Sequence, residues 1–183
     1  MLKVMEMYPK AMVVGAKDYD PRRKVYSPTT ALYYNQKIKQ QKYLQPEGDT
    51  SAVMLEGGCL LLHVEYFKKI GGFDENIFMF YEEYDIGYRA IEKGYDLIHA
   101  HKATVNHRRE SSSKPSLKVY YIKVLHFSRS KRIFLNKFNI KKDYLYSRFI
   151  GFVTNFMIAI LMLITMQPKR FIKYIARTHA NLY

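Results

Sequence analysis

Apolar and polar positions along the chain change period several times, and each change marks an element. Ala11–Ala16 (AMVVGA) is a continuous apolar run bounded by charge, the pattern of a buried strand. Asp18-Tyr19-Asp20-Pro21 reads as a turn, after which Lys24–Ser27 returns as a second strand. Asn35–Asp49 is polar, rich in Gln and Lys, and closes on Pro46, Glu47 and Gly48, so it is expected to be a long loop. Ser51–Leu55 and Cys59–His63 predict two further strands, separated by Gly57-Gly58. Val64–Ile70 has helical spacing and stops at Gly71-Gly72, the residue type that ends helices. Past the aromatic Phe78–Tyr81, a helix is predicted over Glu82–Lys93, with acids in its first turn, Lys93 in its last and Gly94 beyond. Tyr95–His99 and Thr104–His107 read as two short strands, and Arg108–Ser116 as a polar loop. Strands alternating with short helices give an α/β class.

Beyond residue 113 the pattern changes character. Ile150–Met166 carries no charge, and only Thr154, Asn155 and Thr165 interrupt it with clear polarity. A helix of that length rises roughly 26 Å, a little short of the ~30 Å hydrocarbon core. Spanning with some bilayer thinning and lying deep in the interface both stay open. Pro168 ends the run, and Phe171, Ile172 and Ile175 then recur between basic residues, as in an amphipathic surface helix. Tyr144, Tyr146 and Tyr174 lie near the ends, where amphipathic rings favour the headgroup zone.

Charge sharpens this division. Residues 1–113 hold 16 Lys+Arg against 15 Asp+Glu, whereas residues 114–183 hold 14 against the single acid Asp143, so nearly all of the net +14 is in the second part. An anionic membrane surface suits such a segment, and the long uncharged run argues against nucleic acid. A buried core helix with solvated basic flanks is the alternative. Lys141, Lys142 and Arg148 precede the run and Lys169, Arg170, Lys173 and Arg177 follow it, so the positive-inside rule cannot orient it. One cysteine, Cys59, excludes an intramolecular disulfide framework and any Cys-rich zinc site. Met1–Tyr8 carries Lys3 and Glu6 with no long apolar stretch after it, so no secretory leader is read. A membrane-associated protein whose globular part faces the cytosol is expected. Its organisation would be a globular part over 1–113, a basic helical linker over 114–149, and an apolar membrane helix with a basic amphipathic end over 150–183.

Candidate chemistry concentrates in Gly71–Arg89, which places Asp74, Glu75, Glu82, Glu83 and Asp85 close together among aromatics. Crowded carboxylates raise at least one pKa among them and suit a general base or a metal site. Acids are equally what a helix N-terminus favours, and Asp85 and Arg89 have the i,i+4 spacing of an ion pair. On chemistry alone both readings stand.

Taken in order, Glu56–Leu62 (EGGCLLL), Lys69–Glu75 (KIGGFDE), Phe78–Arg89 (FMFYEEYDIGYR) and Gly94-Tyr95 resemble the C-terminal half of a family 2 glycosyltransferase catalytic domain. The similarity is to its rhamnosyl- and galactofuranosyltransferase-like branch and covers roughly residues 10–135. It implies the acceptor half of a GT-A-like domain that transfers a sugar, with inversion, from a nucleotide-sugar donor to a lipid-linked or polysaccharide acceptor. Position by position, Glu82 is the first acid, Glu83 the base that deprotonates the acceptor hydroxyl, and Asp85 the third acid. Glu83 departs from the Asp usual in the family, which lengthens its reach by a methylene. Gly57, Gly58, Asp74 and Glu75 match positions lining the acceptor side, and Arg89 an arginine expected to hold the acidic helix. His107 matches a metal-ligating histidine, which implies a divalent Mn or Mg ion; His63, His99, His101, His126 and His179 match nothing and are read as structural. Asp18-Tyr19-Asp20 has the shape of the family's donor-site Asp-x-Asp, but Pro21 follows at once and a strand resumes at Lys24. It is therefore read as a decoy, and the donor-binding half is expected to precede this chain or to lie on a separate one. The competing reading is a non-catalytic, membrane-bound remnant that binds an acceptor or partner.

Overall fold

The computed structural model describes residues 1–26, 29–30, 43–44, 47–108, 114–140 and 145–182. Its elements, in chain order, are α1 (Leu2–Met7), β1 (Ala11–Asp20), β2 (Val25–Tyr26), β3 (Thr29–Thr30), β4 (Tyr43–Leu44), β5 (Thr50–Ser51), β6 (Leu60–Leu62), α2 (Val64–Lys69), α3 (Glu82–Glu92), β7 (Asp96–Asn106), α4 (Leu117–Lys137), α5 (Leu145–Ile164) and α6 (Pro168–Ala180). They form two compact units, one of Met1–Asp74 with Glu83–Glu110, the other of Glu75–Glu82 with Ser111–Tyr183.

The first unit is mixed α/β and is organised around β1. One edge of β1 runs parallel to β7; the other pairs antiparallel with β6 through Val13–Gly15 and with β2 through Tyr19 and Asp20. β5 closes the far edge of β7, antiparallel. Successive side chains of a strand face opposite ways, so the apolar runs serve two cores. Val13 and Leu97 join Ile70, Ile86 and Ala90 under α2 and α3, whereas Val14 and Ile98 pack with Val4, Met5 and Tyr8 around α1. Each large aliphatic side chain buried this way contributes about 1.5–3 kcal/mol.

Several expected boundaries move. β1 continues through Asp18, Tyr19 and Asp20 and turns only at Pro21, because β2 and β7 offer these residues ladder partners on both edges. The two strands expected over Tyr95–His99 and Thr104–His107 are one strand with an irregularity. Its register against β1 jumps from Ala16↔Ala100 to Lys17↔Thr104, so His101–Ala103 bulge out where a break was expected. The strand expected over Ser51–Leu55 shrinks to Thr50–Ser51, although Ala52 N–H still donates to Leu97 C=O at 2.7 Å. α1 had no counterpart in the sequence pattern. Of the loop expected over Asn35–Asp49, Tyr43–Leu44 is strand paired with Thr29–Thr30, while residues 35–42 and 45–46, like residues 109–113 of the next expected loop, lie outside the described residues.

The second unit is helical. Ser116 caps α4 by accepting from Val119 N–H at 3.1 Å. The aromatic segment before α3 docks on this helix: Phe80 and Tyr81 meet Phe127 edge-on, Tyr81 reaches Phe134, and Phe78 contacts His126. Ser130 Oγ donates to Met79 C=O at 2.8 Å. To present both rings, Phe80 and Tyr81 adopt φ of 65° and 68°, a left-handed backbone uncommon for bulky residues. α6 packs on both α4 and α5. Its C-terminal end is tied to α4 by Tyr121 with His179 and by Arg132 donating to Ala180 C=O and Asn181, and to α5 by Arg148 donating to Asn181 C=O at 3.2 Å.

Candidate functional site

Two adjacent glycines organise the candidate site in the first unit. Gly57 passes so close to the half-buried Glu83 that a Cβ there would overlap Glu83 Oε1. At Gly58 a Cβ would lie 2.5 Å from His107 Nδ1 and 2.6 Å from Asp18 Oδ1, well inside contact distance. One two-residue step thus has Glu83 against its first member and a histidine–carboxylate pair against its second. No side chain larger than hydrogen fits at either position without moving those groups.

The pair forms at the C-terminal ends of the parallel strands β1 and β7, the end of such sheets where ligand crevices open. His107 N–H donates to Tyr19 C=O at 2.9 Å, which fixes the backbone one residue past β7. His107 Nδ1–H donates to Asp18 Oδ2 at 2.7 Å, a tautomer assigned from the carboxylate acceptor. The Asp18 side chain is 1% exposed and that of His107 39%. The imidazole is therefore anchored through Nδ1, leaving Nε2 as the acceptor of the neutral ring. Asp18 Oδ1 is buried with no hydrogen-bond partner among the described residues.

The other acids are arranged differently. Asp85 is buried and paired with Arg89, whose Nε donates at 2.9 Å and whose Nη2 also bonds it; Arg89 Nη1 continues to Ile70 C=O at 2.6 Å. This clamp fastens α3 to the end of α2. Asp20 shapes the turn after β1, accepting from Arg22 N–H at 2.9 Å. Burial pushes its carboxyl up, but the backbone N–H groups of Arg22 and Arg23 and their guanidinium charges outweigh this and hold it below the usual range. Asp74 is half-buried in the first unit, whereas Glu75 is exposed and falls with Glu82 in the second. Buried His99 is held below the ordinary histidine range by desolvation, then by His101 and Lys17, against a smaller opposite effect of Asp49.

Asp18 is the residue that sequence reasoning missed. The sequence reading puts Asp18-Tyr19-Asp20 in a turn, whereas Asp18 belongs to β1 and its side chain is buried against His107. The double glycine was the available signal, since two consecutive residues without side chains mark close approach on two sides.

Among the described residues no group of three or more His, Cys, Asp or Glu side chains could hold a metal ion. Asp18 and His107 supply two donor groups, and His107 Nδ1 is bonded to Asp18 Oδ2, so they do not by themselves complete a site for a divalent Mn or Mg ion and no step below is routed through one.

No family model matches the sequence. Over 87 residues, 48% of this chain, it is 31% identical to the N-acetylglucosaminyl-diphospho-decaprenol L-rhamnosyltransferases of Mycobacterium tuberculosis strains CDC 1551 / Oshkosh and ATCC 25618 / H37Rv. The match spans about a quarter of the length of these curated relatives, 26%. This partial likeness supports a glycosyltransferase-like protein.

Proposed function

We propose that this chain is the acceptor-side part of a glycosyltransferase that moves a sugar from a nucleotide-sugar donor to a lipid-linked acceptor, with Glu83 as the general base. The observation that carries the reading is the Gly57-Gly58 step, with the Glu83 carboxylate on one member and the Asp18–His107 pair on the other. The relatives' names, which put rhamnosyl transfer on a sugar linked to diphospho-decaprenol, support a lipid-linked acceptor. A mixed α/β unit is compatible with the GT-A-like domain that the motifs imply.

In this mechanism the absence of a side chain at Gly57 makes room for the Glu83 carboxylate, and the acceptor hydroxyl binds within its reach. Glu83 takes the hydroxyl proton as the oxygen attacks the anomeric carbon of the donor sugar. The new C–O bond forms while the bond to the diphosphate breaks from the opposite face, and its electron pair leaves with the nucleoside diphosphate. Inversion follows from that single displacement. Asp74 and Glu75 are assigned to the acceptor side, and Glu82 and Asp85 frame the base along α3. Arg89 holds the acidic helix. The donor is bound by a part of the enzyme outside this sequence. Membrane association keeps the site beside its acceptor, on the cytosolic face.

The test is transfer of labelled sugar from nucleotide-linked rhamnose to a polyprenyl-diphosphate-linked N-acetylglucosamine by the native protein with its donor-binding part. Glu83→Gln should lower turnover by about 100-fold or more, the range of general-base catalysis. Undiminished turnover would sink the assignment of the base. Acceptor binding without transfer, even in the complete native assembly, would favour the non-catalytic reading.

A further inference from the structure

The second unit contains a face that packing leaves uncovered. Across Ser147–Ile164, the one window long and apolar enough to cross a membrane among the described residues, only Ala159 is buried. Gly151, Phe152, Asn155, Ile158, Ala159 and Met162 are the better-covered positions of α5, on one stripe at helical spacing, and α6 packs against this helix. The remaining surface exposes Phe149, Val153, Phe156, Met157, Leu161 and Ile164, an apolar face along the length of the helix. A core helix of a soluble protein would be mostly covered, and this one is not.

Length alone would let α5 cross a bilayer, since 18 residues rise about 27 Å against a core of ~30 Å. Its packing partner argues otherwise. Thr165–Gln167 reverse the chain, and α6 returns along α5 until Asn181 meets Arg148 near the start of α5. α6 carries Lys169, Arg170, Lys173 and Arg177 and is itself packed on α4, with its own run of Lys and Arg. If α5 crossed the hydrocarbon, α6 would be drawn to the same depth. Lysines and arginines at the ends can snorkel, but Lys173 lies about 8 Å along α6 from Pro168, and the backbone of α4 would follow it inward.

We infer that α5 and α6 form an in-plane membrane-binding hairpin: the exposed face of α5 sinks into the headgroup–acyl boundary of an anionic bilayer while both helix ends stay on one side. Charge identifies the occupant. Residues 114–183 hold 14 Lys+Arg against one acid, which attracts an anionic lipid surface and opposes a second copy of the same unit. The inference rests on α5, α6 and α4 and is independent of any transfer reaction.

Sealed vesicles of phosphatidylcholine with a minor share of phosphatidylglycerol test it with the full chain. In a Cys59→Ser background, Ser147→Cys and Met166→Cys place a thiol near each end of α5. After binding from outside, both should react with a membrane-impermeant maleimide; protection of one end until detergent is added would overturn the in-plane arrangement. The double variant Met157→Glu/Leu161→Glu, with wild-type circular dichroism, should lose flotation with the vesicles, and unchanged flotation would refute the role of this face. A wild-type chain that fails to float and instead dimerises through this face would assign it to a second copy and overturn the inference.

Discussion

Gly58→Ala is the most direct perturbation of the site, because the added carbon has a defined place to land. It would lie 2.5 Å from His107 Nδ1 and 2.6 Å from Asp18 Oδ1, about 1 Å inside ordinary contact. If the pair holds, the Gly57-Gly58 backbone must shift, with an overpacking cost of about 1–3 kcal/mol. If instead His107 swings outward, Asp18 is left as a buried carboxylate without its partner, a loss of about 1–3 kcal/mol, discounted because His107 is partly solvated. Either route costs about 1–3 kcal/mol of a total stability of about 5–15 kcal/mol. With a urea slope of about 1–3 kcal/mol per M, the midpoint should fall by about 1 M. The chain has no tryptophan and 17 tyrosines, so tyrosine fluorescence and far-ultraviolet circular dichroism report the transition. Placed in an Asp18→Ala/His107→Ala background, Gly58→Ala should cost less than about 0.5 kcal/mol, because the atoms it strikes are gone. Gly48→Ala, with open space around its Cβ, is the control and should be neutral or slightly stabilising. Equal costs for Gly58→Ala in both backgrounds would refute the idea that this glycine exists to admit the pair.

Two further outcomes follow from the same geometry. Arg89→Met should destabilise the first unit by about 3–5 kcal/mol, because Asp85 is buried and would lose its cation. Arg89→Met/Asp85→Leu should recover most of that loss in the same urea titration, and no recovery would mean that the contact to Ile70 C=O is what matters. His99 has a folded pKa below its unfolded one, so its burial in the neutral form costs nothing above about pH 6.5 and lowers stability as pH falls below that value. A stability profile from pH 8 to 5 should therefore decline on the acid side, and His99→Gln should flatten that part of it.

Legibility in the sequence followed the range over which each feature is determined. The helices over Val64–Lys69 and Glu82–Glu92 were readable because glycines stop them and local spacing defines them. The apolar helix α5 was readable from its uncharged run, although it starts at Leu145 and not at Ile150, and the start of α6 from Pro168. The end of β1 was not. Whether Asp18–Asp20 turns or continues depends on β2 and on a strand some 80 residues later, and nothing in the local pattern announces either partner. The motif string drew attention to Glu83, yet it could not show that Gly57 touches Glu83 while Gly58 touches Asp18 and His107. That relation comes from the close approach of β1, β7 and the Gly57-Gly58 loop, a tertiary fact. α1 escaped because six residues of mixed polarity carry too little periodicity to read, and it is the second core that holds them.

The division of the chain bears on how the protein can be made. Glu75–Glu82 belongs with the helices that follow residue 110, although it is flanked on both sides by residues of the other unit. The polypeptide therefore passes between the two bodies three times, and neither is an uninterrupted stretch that can be expressed or exchanged as a cassette. During synthesis Phe78, Phe80 and Tyr81 leave the ribosome well before Phe127 and Phe134, the rings they pack on, have been made. A product cut at residue 113 would expose this aromatic segment for good, inviting aggregation in a nascent or truncated chain.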